Sequence, residues 1–170
     1  SRFAENHVKT YSLSPNSVSE ALLYPSSHRK FNDPSIGTEL FYCGINWDKL
    51  IPGKGGRYAE MLKLLEQTCA IKIYGPEEFG GIIPWEGFTS YQKSLPFDGD
   101  SLIDEIHKCG ICLVASSQEH TVSEIMSNRL WEAMSAGADI IASDHSAVRE
   151  LLGDLAFYFD PYAPFEDQTR

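Results

Sequence analysis

The sequence lacks any apolar run long enough to cross a membrane. Its longest apolar stretches have the length of one strand, whereas a membrane-spanning helix needs about 20 apolar residues. No N-terminal segment has the pattern of a secretory signal peptide. The composition, with 42% hydrophobic and 22% charged residues, is that of a globular domain. We expect a cytoplasmic protein without a transmembrane segment, and peripheral contact of the full-length protein with the inner membrane is compatible with this expectation.

Clusters of positive charge are also missing. Lys and Arg total 14 against 24 Asp and Glu, which gives a formal net charge of −10, and the longest basic block is HRK at 28–30. A nucleic-acid surface needs grouped cations that displace counterions, so we expect no nucleic-acid partner. An acidic chain still binds a small phosphorylated ligand through backbone N–H groups at helix N-termini.

The four cysteines do not form a recognisable redox or metal site. Cys109 and Cys112 have C-x-x-C spacing but run into an apolar, strand-like segment instead of starting a helix. Zinc would need a second close pair, and Cys43 and Cys69 are far apart in the sequence. We expect four reduced, mostly buried cysteines, a reducing compartment and no metal.

Two regions of the chain differ in pattern. Residues 1–38 are rich in Ser, Pro and Asn, and they predict a linker or the edge of a missing N-terminal domain. Because the chain begins with Ser1, we expect it to be a piece of a longer protein. In residues 39–170, short apolar runs alternate with segments of helical spacing, as in one domain with its own core.

Alternation of strands and helices predicts the fold class. The apolar runs lie at 40–44, 70–75, 110–115, 139–143 and 155–159. Such alternation implies parallel pairing through right-handed crossovers, and hence an open, doubly wound, mostly parallel α/β sheet. The long segment 76–100 predicts a sixth short strand near 91–95 and a cover over the site.

Polar residues and glycines mark the helix ends. Ser101 and Asp104 predict a capping box, and a later helix is predicted to begin near Ser127 and to end at Gly137. In an open α/β sheet the ligand binds beyond the C-terminal ends of the strands, at the topological switch point. The candidate loops therefore follow Cys43, Tyr74, Ala115 and Ala142.

A glycine-rich stretch, GINWDKLIPGKGGR (44–57), follows the first predicted strand. It lacks the first glycine and the final Ser or Thr of a P-loop. What remains is a glycine-rich entry to a helix, with Lys49, Lys54 and Arg57 near its positive end, which suits an anion. A flexible loop with solvated cations is the alternative interpretation, and the sequence leaves both open.

Two glutamates, Glu124 and Glu132, flank a polar turn ahead of a helix. Glu124 is expected in the loop at the strand's C-terminal edge, and Glu132 in the first turns of the helix, with its side chain directed back towards the N-terminus. Both carboxylates are then expected to face one ligand, with the N–H groups of Ser127 and Asn128 directed at its phosphates. In the alternative interpretation, Glu124 is a solvated residue of the loop and Glu132 only interacts with the helix dipole.

The segment SEIMSNRLWEAMSAGADIIAS (123–143) resembles the nucleotide-sugar-binding C-terminal domain of GT-B glycosyltransferases of the retaining family 4 type. The matching positions are Glu124, Ser127, Glu132, Ala133, Met134, Gly137, Ile140, Ile141 and Ala142. SNRLWEAMSAG is also similar to the related spore-maturation group. Weaker similarity in FYCGINW and GKGGRYAEMLKLLEQ extends the resemblance over roughly 39–160.

The resemblance implies roles for individual residues. Glu132 is expected to bind the ribose of a UDP- or GDP-type ligand, and Glu124 the hydroxyls of the donor sugar. Backbone groups of Ser127 and Asn128 are expected at the diphosphate or sugar, beside the turn at Gly44.

The cations that neutralise the leaving diphosphate have no clear counterpart, because the family's Gly-Arg is replaced by Gly-Ile-Asn at 44–46. Lys54 is the expected catalytic lysine, and Lys49 or Arg57 is expected to replace the arginine. His120 is expected near the sugar, with a solvated loop histidine as the alternative.

The function that the resemblance implies is sugar transfer from a nucleoside diphosphate sugar with retention, without a required cofactor or metal. The acceptor would be bound by a missing N-terminal domain, so we expect residues 39–170 to bind the donor without transferring it. The alternatives are a non-catalytic nucleotide-sugar-binding module and half of a nucleotide-sugar epimerase.

Overall fold

The computed structural model describes residues 37–51, 58–160 and 163. The strands are β1 (Glu39–Cys43), β2 (Ile71–Tyr74), β3 (Tyr91–Lys93), β4 (Gly110–Val114), β5 (Asp139–Ser143) and β6 (Phe157–Phe159). The helices are α1 (Trp47–Leu50), α2 (Ala59–Thr68), α3 (Ser101–Cys109), α4 (Gln118–Ser123), α5 (Asn128–Ala136) and α6 (Ser146–Leu152), with a 3₁₀ turn at Gly153–Leu155. No helix within these residues is long and apolar enough to cross a membrane.

All six strands pair in parallel in one sheet of order β3-β2-β1-β4-β5-β6. Leu40 of β1 lies opposite Ile71 of β2 on one side and Ile111 of β4 on the other. This strand order is that of a Rossmann-like fold. The predicted open, doubly wound α/β sheet is confirmed, and β3 lies within the segment predicted to hold a sixth strand.

Both faces of the sheet are covered, which explains why the strands read as continuous apolar runs. Successive side chains of β1 point to opposite faces, so Phe41 packs in one core cluster and its neighbours Leu40 and Tyr42 pack in the other. The Phe41 cluster contains buried residues of α3, α5 and α6. The second cluster contains α2 and Trp85 from the long segment that precedes β3.

The order in which the chain adds strands reverses between β1 and β4. From β1 the chain crosses through α2 to β2 on one side, and from β4 it crosses through α5 to β5 on the other side. The two connections leave adjacent strands in opposite directions, on opposite faces. A crevice therefore opens at the C-terminal ends of β1 and β4, as the switch-point rule states.

Helix ends agree with the sequence analysis at some positions and differ at others. Ser127 is the N-cap of α5 and Gly137 ends that helix in the left-handed conformation. The predicted capping box is wrong: Ser101 lies inside α3, and its N–H and hydroxyl both donate to Asp98. Because the Ser101 hydroxyl is bonded to Asp98, three residues earlier, it does not cap the helix by accepting from the Asp104 N–H, which donates to the Asp100 carbonyl instead.

The long segment before β3 is tied to α2 and to the turn after β1. Glu66 of α2 accepts a hydrogen bond from the Ser90 N–H at 2.6 Å and pairs with Lys63 at 2.8 Å. The buried Asn46 side chain donates to the Pro84 carbonyl at 3.0 Å. These bonds hold the segment beside the C-terminal edge of the sheet.

We predict that Glu66 stabilises this arrangement in a pH-dependent way. Burial raises the pKa of Glu66, but hydrogen bonds from Lys63 and Ser90 outweigh it and lower the pKa to about 2, from an ordinary value of 4.5. A carboxyl with a lowered pKa contributes stability that is complete above pH 4.5 and is lost as the pH falls towards 2. Glu66→Gln should therefore lower the free energy of unfolding by about 1–3 kcal/mol at pH 7, and by less at pH 3.

Urea unfolding of the wild type and the variant at both pH values measures the difference. Glu60→Gln changes an exposed acid of the same helix and is the control. An equal loss at pH 3 and pH 7 would contradict the prediction.

Candidate functional site

A cavity of about 370 Å³ lies at the C-terminal ends of β1 and β4. Its described lining comes from the turn after β1, the start of α2, the loop after β4, the first turns of α5, and the two aromatic residues Trp85 and Phe97. The volume is in the range of small-molecule sites. The predicted loops after Cys43 and Ala115 thus contribute to the cavity, and the loop after Tyr74 contributes Trp85, whereas no described residue of the loop after Ala142 lines it.

The turn after β1 presents its backbone to the cavity. The Gly44 N–H donates to the Tyr74 carbonyl at 3.0 Å, and a side chain at Gly44 would meet the Tyr42 hydroxyl at 2.9 Å. At Gly75 a Cβ atom would lie 2.1 Å from the Gly44 carbonyl oxygen and 2.5 Å from Trp85 Nε1. The two turns approach each other so closely that glycine is required at 75.

Hydrogen bonds position the opposite wall, which is the loop after β4. The hydroxyl of Tyr58 donates to the Ser116 carbonyl, and the Ser116 N–H donates to Ser143 Oγ at 2.9 Å. Ser117 caps α4 by accepting from the His120 N–H at 3.3 Å. Ser117 and His120 both line the cavity, so α4, which was not predicted, carries the predicted His120 to the site.

The N-terminus of α5 reaches the cavity through Ser127 and Asn128. Ser127 Oγ accepts from the Arg129 N–H at 3.2 Å, and its carbonyl accepts from Leu130. The first N–H groups of a helix lack partners within the helix. Their dipole and donors favour an anion, so this wall is suited to a phosphate group.

Glu132 lines the cavity one turn further along α5. Its Oε2 accepts a hydrogen bond from Arg129 Nη1 at 2.6 Å, and its side chain is 33% exposed. Arg129 lines the cavity as well, and its guanidinium lies 5.8 Å from the centre of the Phe41 ring. Arg129 was not among the predicted site residues, although its spacing of three residues from Glu132 within one helix was a usable signal.

Glu124 is not among the residues that line the cavity. It ends α4 with a left-handed φ of 54°, a conformation that costs a residue with a side chain about 1–2 kcal/mol. Its Oε1 accepts from Ser146 Oγ at 2.9 Å, at the start of α6. The structure therefore directs Glu132 to the cavity and Glu124 to α6, and does not bring the two carboxylates together.

The predicted upstream cations do not supply a described lining residue. Lys54 and Arg57 lie outside the described residues, and Lys49 pairs with Glu86 at 2.8 Å. Arg129 is the only Lys or Arg among the described residues of the lining. In the same part of the chain, no group of His, Cys, Asp or Glu is arranged to hold a metal ion.

The thiols are unsuited to nucleophilic chemistry. Burial raises the pKa of Cys109 to about 11 and that of Cys112 to about 12, so both are protonated near neutral pH. Cys43 is half-buried and Cys69 is exposed. The expectation of mostly buried cysteines therefore fails for Cys69, which follows the last turn of α2.

No protein-family model matches this sequence, and no curated protein shows significant similarity to it. The function is therefore argued from the cavity and the side chains around it.

We predict that His145, which is buried beside the site, makes stability fall on mild acidification. Its side chain is only 6% exposed. Burial lowers the pKa of His145, and the charge of His120 lowers it further, against opposing contributions from Asp144 and Glu124. Because the unfolded chain protonates this histidine near pH 6.5 and the folded chain at lower pH, stability is lost as the pH falls below 6.5.

Urea unfolding between pH 5 and 7.5 should show a smaller pH dependence for His145→Gln than for the wild type. His120→Gln is the comparison variant, and it should retain most of the dependence because burial is the larger cause. An unchanged pH dependence in His145→Gln would refute the prediction.

Proposed function

We propose that residues 39–170 form the domain that binds the nucleoside diphosphate sugar donor of a glycosyltransferase with GT-B architecture. The observation that carries the proposal is the position of Glu132 beside the capped N-terminus of α5, in a cavity at the switch point of a Rossmann-like sheet. This arrangement puts an acceptor for hydroxyl groups next to donors for phosphate.

The nucleotide is proposed to lie along the first turns of α5. A carboxylate such as Glu132 accepts charge-assisted hydrogen bonds from the two ribose hydroxyls. The diphosphate lies at Ser127 and Asn128, where the helix N-terminus stabilises negative charge. The backbone of Gly44 also lines the cavity, and it is proposed to lie beside the nucleotide.

The sugar is proposed to extend from the phosphates towards His120 and the end of α4. His120 lines this part of the cavity. Glu124 bonds to Ser146 at the start of α6, so its proposed contact with the sugar needs a ligand that reaches beyond the cavity in that direction. We keep Glu124 and Lys54 as proposed catalytic residues on the strength of the sequence resemblance.

Catalysis in this proposal depends on positioning and on electrostatic stabilisation of the leaving diphosphate. The helix N-terminus is oriented before the substrate binds, so it stabilises the developing charge without rearrangement. A metal ion is not required for this mechanism. The acceptor would be bound by another domain, with transfer taking place between the two.

We predict that Glu132 discriminates ribose from 2′-deoxyribose. Glu132→Gln keeps the size of the side chain and an acceptor for Arg129 but removes the negative charge. Its affinity for the preferred nucleoside diphosphate should fall at least about tenfold, because charge-assisted bonds contribute about 1.5–3 kcal/mol each. Calorimetry with UDP, GDP and their 2′-deoxy forms measures the effect.

The 2′-deoxy ligand should lose affinity in the wild type and much less in Glu132→Gln, so that the two losses are not additive. Glu150→Gln removes an exposed acid of α6 and should bind like the wild type. If the variant discriminates the two ligands as well as the wild type does, Glu132 does not contact the ribose. A longer protein with this domain that binds donor sugars without transfer or hydrolysis would support a non-catalytic module instead.

A further inference from the structure

Arg129 is a partly buried cation in the wall of the cavity. Its side chain is 18% exposed, and no other Lys or Arg among the described residues lines the cavity. Nη1 is bonded to Glu132, whereas Nε is buried and has no hydrogen-bond partner among the described residues. The guanidinium therefore has donor capacity beyond its ion pair.

The position of Arg129 in α5 is unfavourable for the stability of the helix. It lies in the first turn, where the helix dipole favours anions and disfavours cations. The order of the ion pair is also the weaker one, because an acid stabilises a helix more when it precedes the base than when it follows it. Arg129 is thus unfavourable both for the helix dipole and for the order of the ion pair. Because it lies in the wall of a cavity, this unfavourable placement indicates a role in binding.

The chemistry around Arg129 fits a diphosphate. Its planar guanidinium matches the oxygens of a phosphate group, and the capped helix start at Ser127 and Asn128 adds N–H donors beside it. Glu132 lies one turn, about 5 Å, further along the axis. The order of Glu132 and Arg129 along the helix is the order of ribose and phosphates along a nucleotide.

We propose that Arg129 is a diphosphate-binding cation of this cavity and that its ion pair with Glu132 exchanges partners when a nucleoside diphosphate binds. The ribose hydroxyls then donate hydrogen bonds to the Glu132 carboxylate, and the phosphate oxygens accept hydrogen bonds from the Arg129 guanidinium. In the free protein the two side chains neutralise each other; in the complex the phosphates neutralise Arg129, and the hydrogen bonds from the ribose stabilise the Glu132 carboxylate. This inference rests on the proposed function for the ribose, whereas the anion site can be tested without a nucleoside.

Two substitutions should have opposite effects on the binding of inorganic pyrophosphate. Arg129→Met should lower the affinity of pyrophosphate, UDP and GDP at least about tenfold, because charge-assisted bonds are lost. Glu132→Gln should raise the affinity of pyrophosphate about threefold or more, because the carboxylate no longer competes for Arg129. Calorimetry measures both, and circular dichroism checks that each variant is folded.

Three further measurements separate charge, shape and position. Arg129→Lys keeps the charge without the planar donor group, so its pyrophosphate affinity should lie between those of the wild type and Arg129→Met. Uridine and guanosine, titrated by NMR, should bind Arg129→Met within about threefold of the wild type. The control is Arg149→Met, since Arg149 bonds to Asp144 at 2.7 Å and lies 4.2 Å from the Tyr158 ring centre, outside the cavity lining.

The outcomes distinguish this inference from the proposed function. If UDP or GDP binds the wild type and Arg129→Met equally well, the role of Arg129 is wrong and the proposed function stands. If the wild type binds pyrophosphate but no nucleotide, and Arg129→Met does not bind pyrophosphate, then Arg129 is an anion-binding residue and the proposed function is wrong. If the wild type binds neither pyrophosphate nor a nucleotide, both this inference and the proposed function are wrong. If Glu132→Gln binds pyrophosphate more weakly than the wild type does, the proposed exchange of partners between Arg129 and Glu132 is wrong.

Discussion

The parallel pairing of β1 with β4 is the constraint on which the site depends. The chain leaves β1 towards one edge of the sheet and β4 towards the other, and right-handed crossovers then require the following helices to lie on opposite faces. A crevice therefore opens at the C-terminal ends of these two strands. Gly44 and Ala115, which follow the two strands, line the cavity that results.

The described segments around the cavity are bonded to the sheet and to one another. Glu66 and Asn46 attach the segment before β3, and the contact of Gly75 with Gly44 leaves no room for a side chain. On the other wall, Ser143 and Tyr58 hold the loop after β4. Polar bonds of this kind orient backbone groups for a ligand before it arrives, which lowers the entropy cost of binding.

The charged residues at and near the cavity adopt positions that local helix preferences disfavour. A chain with a net charge of −10 places Arg129 at the positive end of α5, and compensates it with Glu132 in the next turn. Glu124 adopts a left-handed conformation next to the buried His145. Departures from local preference are typical of binding sites; Arg129 lines the crevice, whereas Glu124 lies outside its lining and is bonded to Ser146.

Local pattern determined the approximate positions of the strands, the ends of α5 and the class of the fold. The apolar run 139–143 is β5 residue for residue, and Ser127 and Gly137 begin and end α5 as predicted, because caps and left-handed glycines act within one turn of the chain. Helix α4 escaped prediction because its residues QEHTVS have no apolar period. Only the tertiary structure decided that the local pair of Arg129 and Glu132 lies at the cavity and that Glu124 bonds to Ser146 instead. Which side chains meet across elements depends on strand order and on the turn that ends each helix, and neither is encoded in the spacing of two glutamates.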